Sequence, residues 1–141
     1  MSSLKLAVPA AQLSSQLIAG RYGADQAIDG DPTTVFATGD TSTTDQWVSL
    51  RVTLSAPIAY IAVYNRNDQY YSWLSPYELW LGNTFGALQH QCGGSLTAGS
   101  GLGPFMTWCG GGPSGLQYVT LVLRAGTTRY LAIGELEVYR A

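Results

Sequence analysis

Between Trp47 and Leu54 apolar and polar positions alternate without a break: Val48, Leu50, Val52 and Leu54 fall on one face, Trp47, Ser49, Arg51 and Thr53 on the other. A period of two marks a half-buried strand. Pro57 ends the run, and Ile58 to Asn65, rich in Ile, Val and Tyr, predicts the next strand. A shorter strand is expected over Tyr77 to Leu81, before the turn-forming pair Gly82-Asn83. A strong one is expected over Leu116 to Leu123, where Val119, Leu121 and Leu123 alternate with Tyr118, Thr120 and Val122. In the last segment Leu131 and Ile133 share one parity, and Leu136 and Val138 share the other. The phase changes at Gly134, which predicts a bulge or a break between two strands. No segment carries a long helical period, although Ala24 to Ala27 can form one helical turn. The pattern predicts an all-β antiparallel sandwich or barrel, with the 141 residues making one domain around one core.

Composition narrows the possible partners. Hydrophobic residues make up 46% of the chain and charged ones only 11%, against a typical charged share of about 25%. That balance suits short strands and turn-rich loops. The net charge is −2, with one lysine, Lys5, and arginines scattered from Arg21 to Arg140. Phosphate backbones are bound by clustered Lys and Arg, so no nucleic-acid role is expected. No apolar run approaches the roughly 20 residues that span a bilayer. Met1 to Gly20 lacks a basic stretch followed by an apolar one, so no signal peptide is read there. The expectation is a domain of a longer secreted or cell-surface protein, with Met1 added for expression.

Catalysis is not expected. The single histidine, His90, lies near Cys92 in a polar stretch and reads as a surface residue. Neither a nucleophile elbow, a zinc-protease helix nor a phosphate-binding loop occurs. Glu135 and Glu137 fall on one strand face, whereas the two carboxyls of a glycosidase normally come from separate strands.

Cys92 and Cys109 flank a stretch crowded with glycine: Gly93, Gly94, Gly99, Gly101 and Gly103. Such a chain reads as a flexible loop that is costly to order. A disulfide closing it would stabilise the fold by roughly 3 kcal/mol and imply an oxidising compartment. The alternative is two unrelated buried thiols. Without CxxC spacing or a second histidine, zinc is not expected.

Several segments, taken in order, resemble one family. Pro9-Ala10-Ala11-Gln12-Leu13-Ser14-Ser15 is similar to the opening strand of discoidin domains, also called F5/8 type C domains. Ala27-Ile28-Asp29-Gly30-Asp31-Pro32-Thr33-Thr34 resembles their early loop, Asn65-Arg66-Asn67-Asp68 the end of a central strand, and Gly134-Glu135-Leu136-Glu137-Val138-Tyr139 the closing strand. The resemblance runs from about Val8 to Arg140. Within that superfamily the chain looks most like the fucose-binding F-type lectins, with Arg66-x-Asp68 and a cysteine pair placed like Cys92 and Cys109. The resemblance implies an eight-stranded antiparallel jelly-roll β-sandwich of the galactose-binding-like type. It also implies lectin activity and, in many members, a structural calcium. Other branches bind phospholipid head groups, collagen or other proteins.

Ligand chemistry lends itself to the calcium. Ca²⁺ takes six to eight oxygens, mixing carboxylates with backbone carbonyls. Gln26 to Thr34 can supply them from one tight loop turned by Gly30 and Pro32. Asp29 offers a carboxylate, Asp31 a carbonyl or carboxylate, and Thr34 a carbonyl and a hydroxyl. A second carboxylate must come from elsewhere, and Glu135 suits if the closing strand passes the loop. The resemblance implies a ligand set of the Gln26 backbone, the Asp29 side chain, the Asp31 backbone, Thr34, the Gly134 backbone and the Glu135 side chain. The alternative is a plain turn in which Asp29 and Asp31 cap their own backbone.

A sugar site needs bidentate hydrogen-bonding groups and a ring for the apolar face of the pyranose. Asn65 to Tyr77 contains both kinds: Arg66 as a fork donor, Asp68 to orient it, and the rings of Tyr70, Tyr71 and Trp73. The F-type fucose motif adds a histidine upstream and a basic residue after the Asp, but here Gly39 and Trp73 stand at those positions. Three readings follow. Trp73 stacks on a different sugar, such as a galactose-type residue, with Arg66 and Asp40 giving polar contacts. Alternatively the loop contacts a protein or a lipid, although Arg66 is its only cation, which disfavours anionic membranes. In the third reading Arg66 and Asp68 are a structural pair, with the rings packed under loops.

Overall fold

Alternating apolar residues give the strands, and the glycines and prolines between them set their ends. The computed structural model describes residues 5–14, 36–37, 45–53, 57–66, 74, 76–99, 101, 103–110, 115–124 and 131–140. They form β1 (Ala10–Leu13), β2 (Phe36–Ala37), β3 (Gln46–Arg51), β4 (Ile58–Tyr64), β5 (Tyr77–Gly82), β6 (His90–Leu96), β7 (Phe105–Trp108), β8 (Tyr118–Leu123), β9 (Ala132–Ile133) and β10 (Glu135–Arg140). All pairings are antiparallel. Among the described residues, one sheet has the order β1-β3-β8-β5-β6, the second β10-β4-β7, and a third is the pair β2-β9. The eight strands of the two larger sheets make the expected antiparallel β-sandwich, and no helix occurs among the described residues.

The core lies between the sheets. Val48, Leu50, Leu79, Leu81, Val119, Leu121 and Leu123 come from one side, and Ile61, Val63, Leu136 and Val138 from the other, each at most 4% exposed. The phase change at Gly134 is real: β9 stops at Ile133 and β10 starts at Glu135. Ala24 to Ala27 lies outside the described residues.

Two readings of the sequence need correction. Ser49 and Thr120 sit on the outer face of the five-stranded sheet, yet both are fully buried. Their hydroxyls hydrogen-bond at 2.8 Å, and Ser49 Oγ also accepts the Gly86 N–H at 3.1 Å. The β5–β6 turn folds across this face, with Phe85 edge-on to Tyr118 at 4.9 Å. Gly86 fits because it has φ +80° and a Cβ there would lie 2.9 Å from the Trp47 ring. The second correction is that the stretch between the cysteines contains two strand segments: β6 takes in Gly93 and Gly94, and β7 leads up to Cys109. Among the described residues, β6 and β7 are edge strands, each paired on one side only, to β5 and β4. An edge half-open to solvent needs no apolar alternation and tolerates glycine, so periodicity does not reveal it.

Both flanks of the sandwich are closed. On one flank the N-terminal segment crosses between the sheets: Leu6 N–H bonds Val138 O at 2.7 Å, and Thr53 N–H bonds Ala7 O at 2.9 Å, before β1 joins β3. On the other the expected disulfide, Cys92–Cys109, ties β6 to the end of β7 with Cα atoms 4.8 Å apart.

Candidate functional site

The strand directions gather one end of the sandwich from the close of β4, β6 and β8 and the start of β3, β5 and β10. Here β4 runs into Asn65 and Arg66. Asn65 is fully buried; its Oδ1 accepts the Arg66 N–H at 2.9 Å, and its Nδ2 donates to Gly99 O at 3.3 Å. The side-chain amide thus ties the Arg66 backbone to the segment after β6, and Arg66 itself is half-buried.

Glu135 begins β10 opposite Tyr64, two positions before Arg66 on the neighbouring strand. It is 1% exposed, and its Oε1 oxygen is buried and accepts no hydrogen bond, while the residue has other interactions. Gly134 N–H donates to Tyr64 O at 2.8 Å. Nearby, Gln46 is 1% exposed and its Oε1 accepts the Leu131 N–H at 3.1 Å. Of the buried polar residues described, Gln46, Asn65 and Glu135 therefore gather at this end, and Ser49 and Thr120 pair with each other. Phe36 and Ala37 pair with Ile133 and Ala132, so the chain just after the aspartate-rich loop runs beside the chain just before Gly134-Glu135. A buried carboxylate and a glycine carbonyl on such a crossing are the hard oxygen donors that suit Ca²⁺.

Of the residues expected at the two sites, the structure brings Arg66, Gly134 and Glu135 to one end. Gln26, Asp29, Asp31, Thr34, Asp40, Asp68, Tyr70, Tyr71 and Trp73 lie outside the described residues. Among the described residues no three His, Cys, Asp or Glu side chains come together as a metal cluster, and no helix is long and apolar enough to cross a membrane. His90 opens β6 opposite Leu81 and is half-buried.

Sequence reasoning missed a polar cluster on the shoulder of this end. Arg124, just after β8, donates from Nε to Glu78 Oε1 and from a terminal nitrogen to Asp45 Oδ2, both at 3.1 Å. Trp80 Nε1 donates to the same Glu78 oxygen at 2.8 Å, and the guanidinium lies 5.6 Å from the Trp80 ring centre. Burial alone would push the Glu78 carboxyl up, but the hydrogen bonds from Arg124 and Trp80 outweigh it and hold the carboxyl below the usual range. The alternating parity of Glu78/Trp80 and of Val122/Arg124 was the available signal, since it places them on one sheet face.

No family model matches the chain, and no curated protein matches it by sequence. Solved structures do match it in fold. A fucolectin from striped bass serum superposes with a TM-score of 0.75 at 22% identity, over 94% of this chain and 45% of that one. The chain thus spans less than half the length of that lectin. A fucose-binding module of Streptococcus pneumoniae gives 0.71 at 18% identity, over 100% and 99% of the two chains. A family 32 carbohydrate-binding module of C. perfringens, in complex with galactose, gives 0.71 at 21%, over 96% and 99%. The fold is the discoidin-like sandwich shared by F-type lectins and family 32 modules, as the motifs implied.

Proposed function

We propose that this chain is a non-catalytic carbohydrate-binding module that holds a glycan at the Arg66 end of the sandwich. The observation that carries the reading is the buried Asn65 bracket. It fixes the Arg66 backbone where the chain enters the segment whose sequence contains Asp68, Tyr70, Tyr71 and Trp73. A guanidinium on an anchored backbone, followed within seven residues of sequence by three aromatic side chains, suits a sugar with vicinal hydroxyls and one apolar face. The glycans in the names of the fold's neighbours, fucose and galactose, support the same class of ligand. With Gly39 and Trp73 at two positions of the fucose motif, a galactose-type residue fits better. The disulfide supports an extracellular setting.

The same reading includes a structural calcium held by Asp29, Thr34 and Glu135, with backbone oxygens of Gln26, Asp31 and Gly134. The β2–β9 pair and the buried Glu135 support it. The ion would contribute charge neutralisation and a tie between the early loop and the closing strand, and no chemistry beyond that.

A glycan array tests the sugar site. Wild type is expected to bind a set of glycans that Arg66→Ala and Trp73→Ala each lose, and the absence of any glycan lost by either variant refutes the site. A protein or lipid contact by the same loop is the second reading, favoured if the array stays silent. For the metal, excess CaCl₂ should raise the melting temperature and EDTA should reverse it, by about 2.7 kcal/mol at a hundredfold excess over Kd. Asp29→Ala should abolish the response. A wild-type melt indifferent to both reagents removes the calcium.

A further inference from the structure

The three large apolar side chains most open to solvent among the described residues, Trp108 (57%), Met106 (51%) and Tyr60 (42%), share one surface. It is the outer face of the three-stranded sheet. There Trp108 pairs with Tyr60, which pairs with Tyr139, and Met106 pairs with Ala62, which pairs with Glu137. The indole is held in place. Tyr60 meets it edge-to-face with centroids 5.1 Å apart. The Gly110 backbone lies against its six-membered ring so closely that a Cβ there would fall 2.2 Å from Cζ2. A ring ordered by the fold and still more than half exposed can stack on a ligand with little further entropy cost.

We propose that the Trp108 face is a second carbohydrate-binding site, which stacks a pyranose of a neutral oligosaccharide on the indole. Three features choose this occupant. The first is area: with 150–250 Å² for an aromatic side chain, the three exposed fractions amount to about 300 Å². A second copy of the chain would need about 800 Å² on each partner, whereas two or three sugar rings fit. The second is charge, since Lys5 and Glu137 beside the patch neutralise each other at 2.8 Å, which favours a neutral ligand over anionic lipid. The third is spacing. Met106 lies about 7 Å from Trp108 along β7. The Tyr139 backbone lies on the second strand over, about 10 Å across the sheet, and its hydroxyl donates to Glu137 at 2.7 Å. Indole and thioether along β7 offer two neighbouring apolar contacts, and the hydroxyl–carboxylate pair across the sheet offers a polar edge for the hydroxyls of the same oligosaccharide.

This site does not rest on the Arg66 reading. Tyr60 and Arg66 are separated by about 20 Å along β4, so the two sites can be removed independently. The test is an array of neutral oligosaccharides read with wild type, Arg66→Ala, Trp108→Ala and the double variant. The Trp108 indole N–H signal, identified by its loss in Trp108→Phe, is then followed by NMR while the strongest array binders are titrated in. Expected results are glycans that Arg66→Ala retains, that Trp108→Ala weakens about tenfold, and that move the Trp108 signal. Gly110→Ala, which displaces the ring, should copy Trp108→Ala while the protein stays folded. The proposal is overturned if Trp108→Ala changes no glycan and the signal does not move. It is equally overturned if Trp108→Ala acts only on binding to phosphatidylcholine vesicles or on dimer formation. Trp108-dependent binding together with an inert Arg66→Ala would overturn the Arg66 reading and leave this one standing.

Discussion

Cutting the clasp between the sheets should be costly, and the cost can be worked from the fold. Among the described residues, strand β6 pairs only with β5, and β7 only with β4. On that flank the covalent link between the two sheets is Cys92–Cys109, with both residues 2% exposed. It closes a loop with a sequence separation of 17, for which the chain-entropy relation gives about 3 kcal/mol. The same loop contains Gly93, Gly94, Gly99, Gly101 and Gly103, so the unbridged unfolded chain would be especially free. The double variant Cys92→Ala/Cys109→Ala avoids leaving a lone thiol. In urea, followed by circular dichroism, a loss of about 3 kcal/mol at a slope of about 1–3 kcal/mol/M lowers the midpoint by about 1–3 M. Reduced wild type should match it. A midpoint unchanged in the double variant would show that strand pairing alone holds this flank, and the clasp argument would fail.

Other consequences can be checked in the same assay. Ser49→Ala strands the buried Thr120 hydroxyl and the Gly86 N–H, which should cost about 1–3 kcal/mol. Ser49→Ala/Thr120→Val should lose less than the two single changes combined, and simple additivity would refute the pairing. Near the N-terminus, burial pushes the Glu137 carboxyl up, but Lys5, Tyr139 and Tyr64 as hydrogen-bond partners outweigh it and leave the group below its ordinary 4.5. A lowered carboxyl stabilises above that value, and its contribution fades as the pH falls through the lower folded one. The partners behave oppositely. The hydrogen bond to Glu137 raises Lys5, and burial followed by that carboxylate pushes Tyr139 up to about 12. Their contribution is complete below about pH 10 and disappears as the pH climbs through the raised values. Glu137→Gln should flatten both limbs of the stability–pH curve, and an unaltered curve would count against the cluster. Lys5 is 41% exposed, so Lys5→Met should cost under about 1 kcal/mol by thermal melt.

The central strands were legible because burial between two sheets leaves a period-two stripe. Val48 and Leu50, Val119 to Leu123, and the parity change at Gly134 each survive in the structure. Edge strands β6 and β7 were not, since one-sided pairing leaves Gly93, Gly94 and Ser95 in a strand without an apolar stripe. Ser49 was placed on the right face, but its burial could not be read for a related reason. Alternation tells which face a residue occupies, and a turn arriving from Asn83 to Ala87 decides whether that face is wet. At the candidate site, Arg66 and Glu135 could be read from motifs. Asn65 and Gln46 could not, because their role is to satisfy backbone groups that only the folded chain brings near. Trp108 was silent as well: strand periodicity says nothing about an edge ring pinned by Gly110.

The bridge between Lys5 and Tyr139 sets the first and last described segments side by side at the pole opposite Arg66. A surface tether or reporter attached through either segment would leave the Arg66 pole unobstructed. A short peptide joining the two, with new ends opened elsewhere, should give a permuted protein that folds.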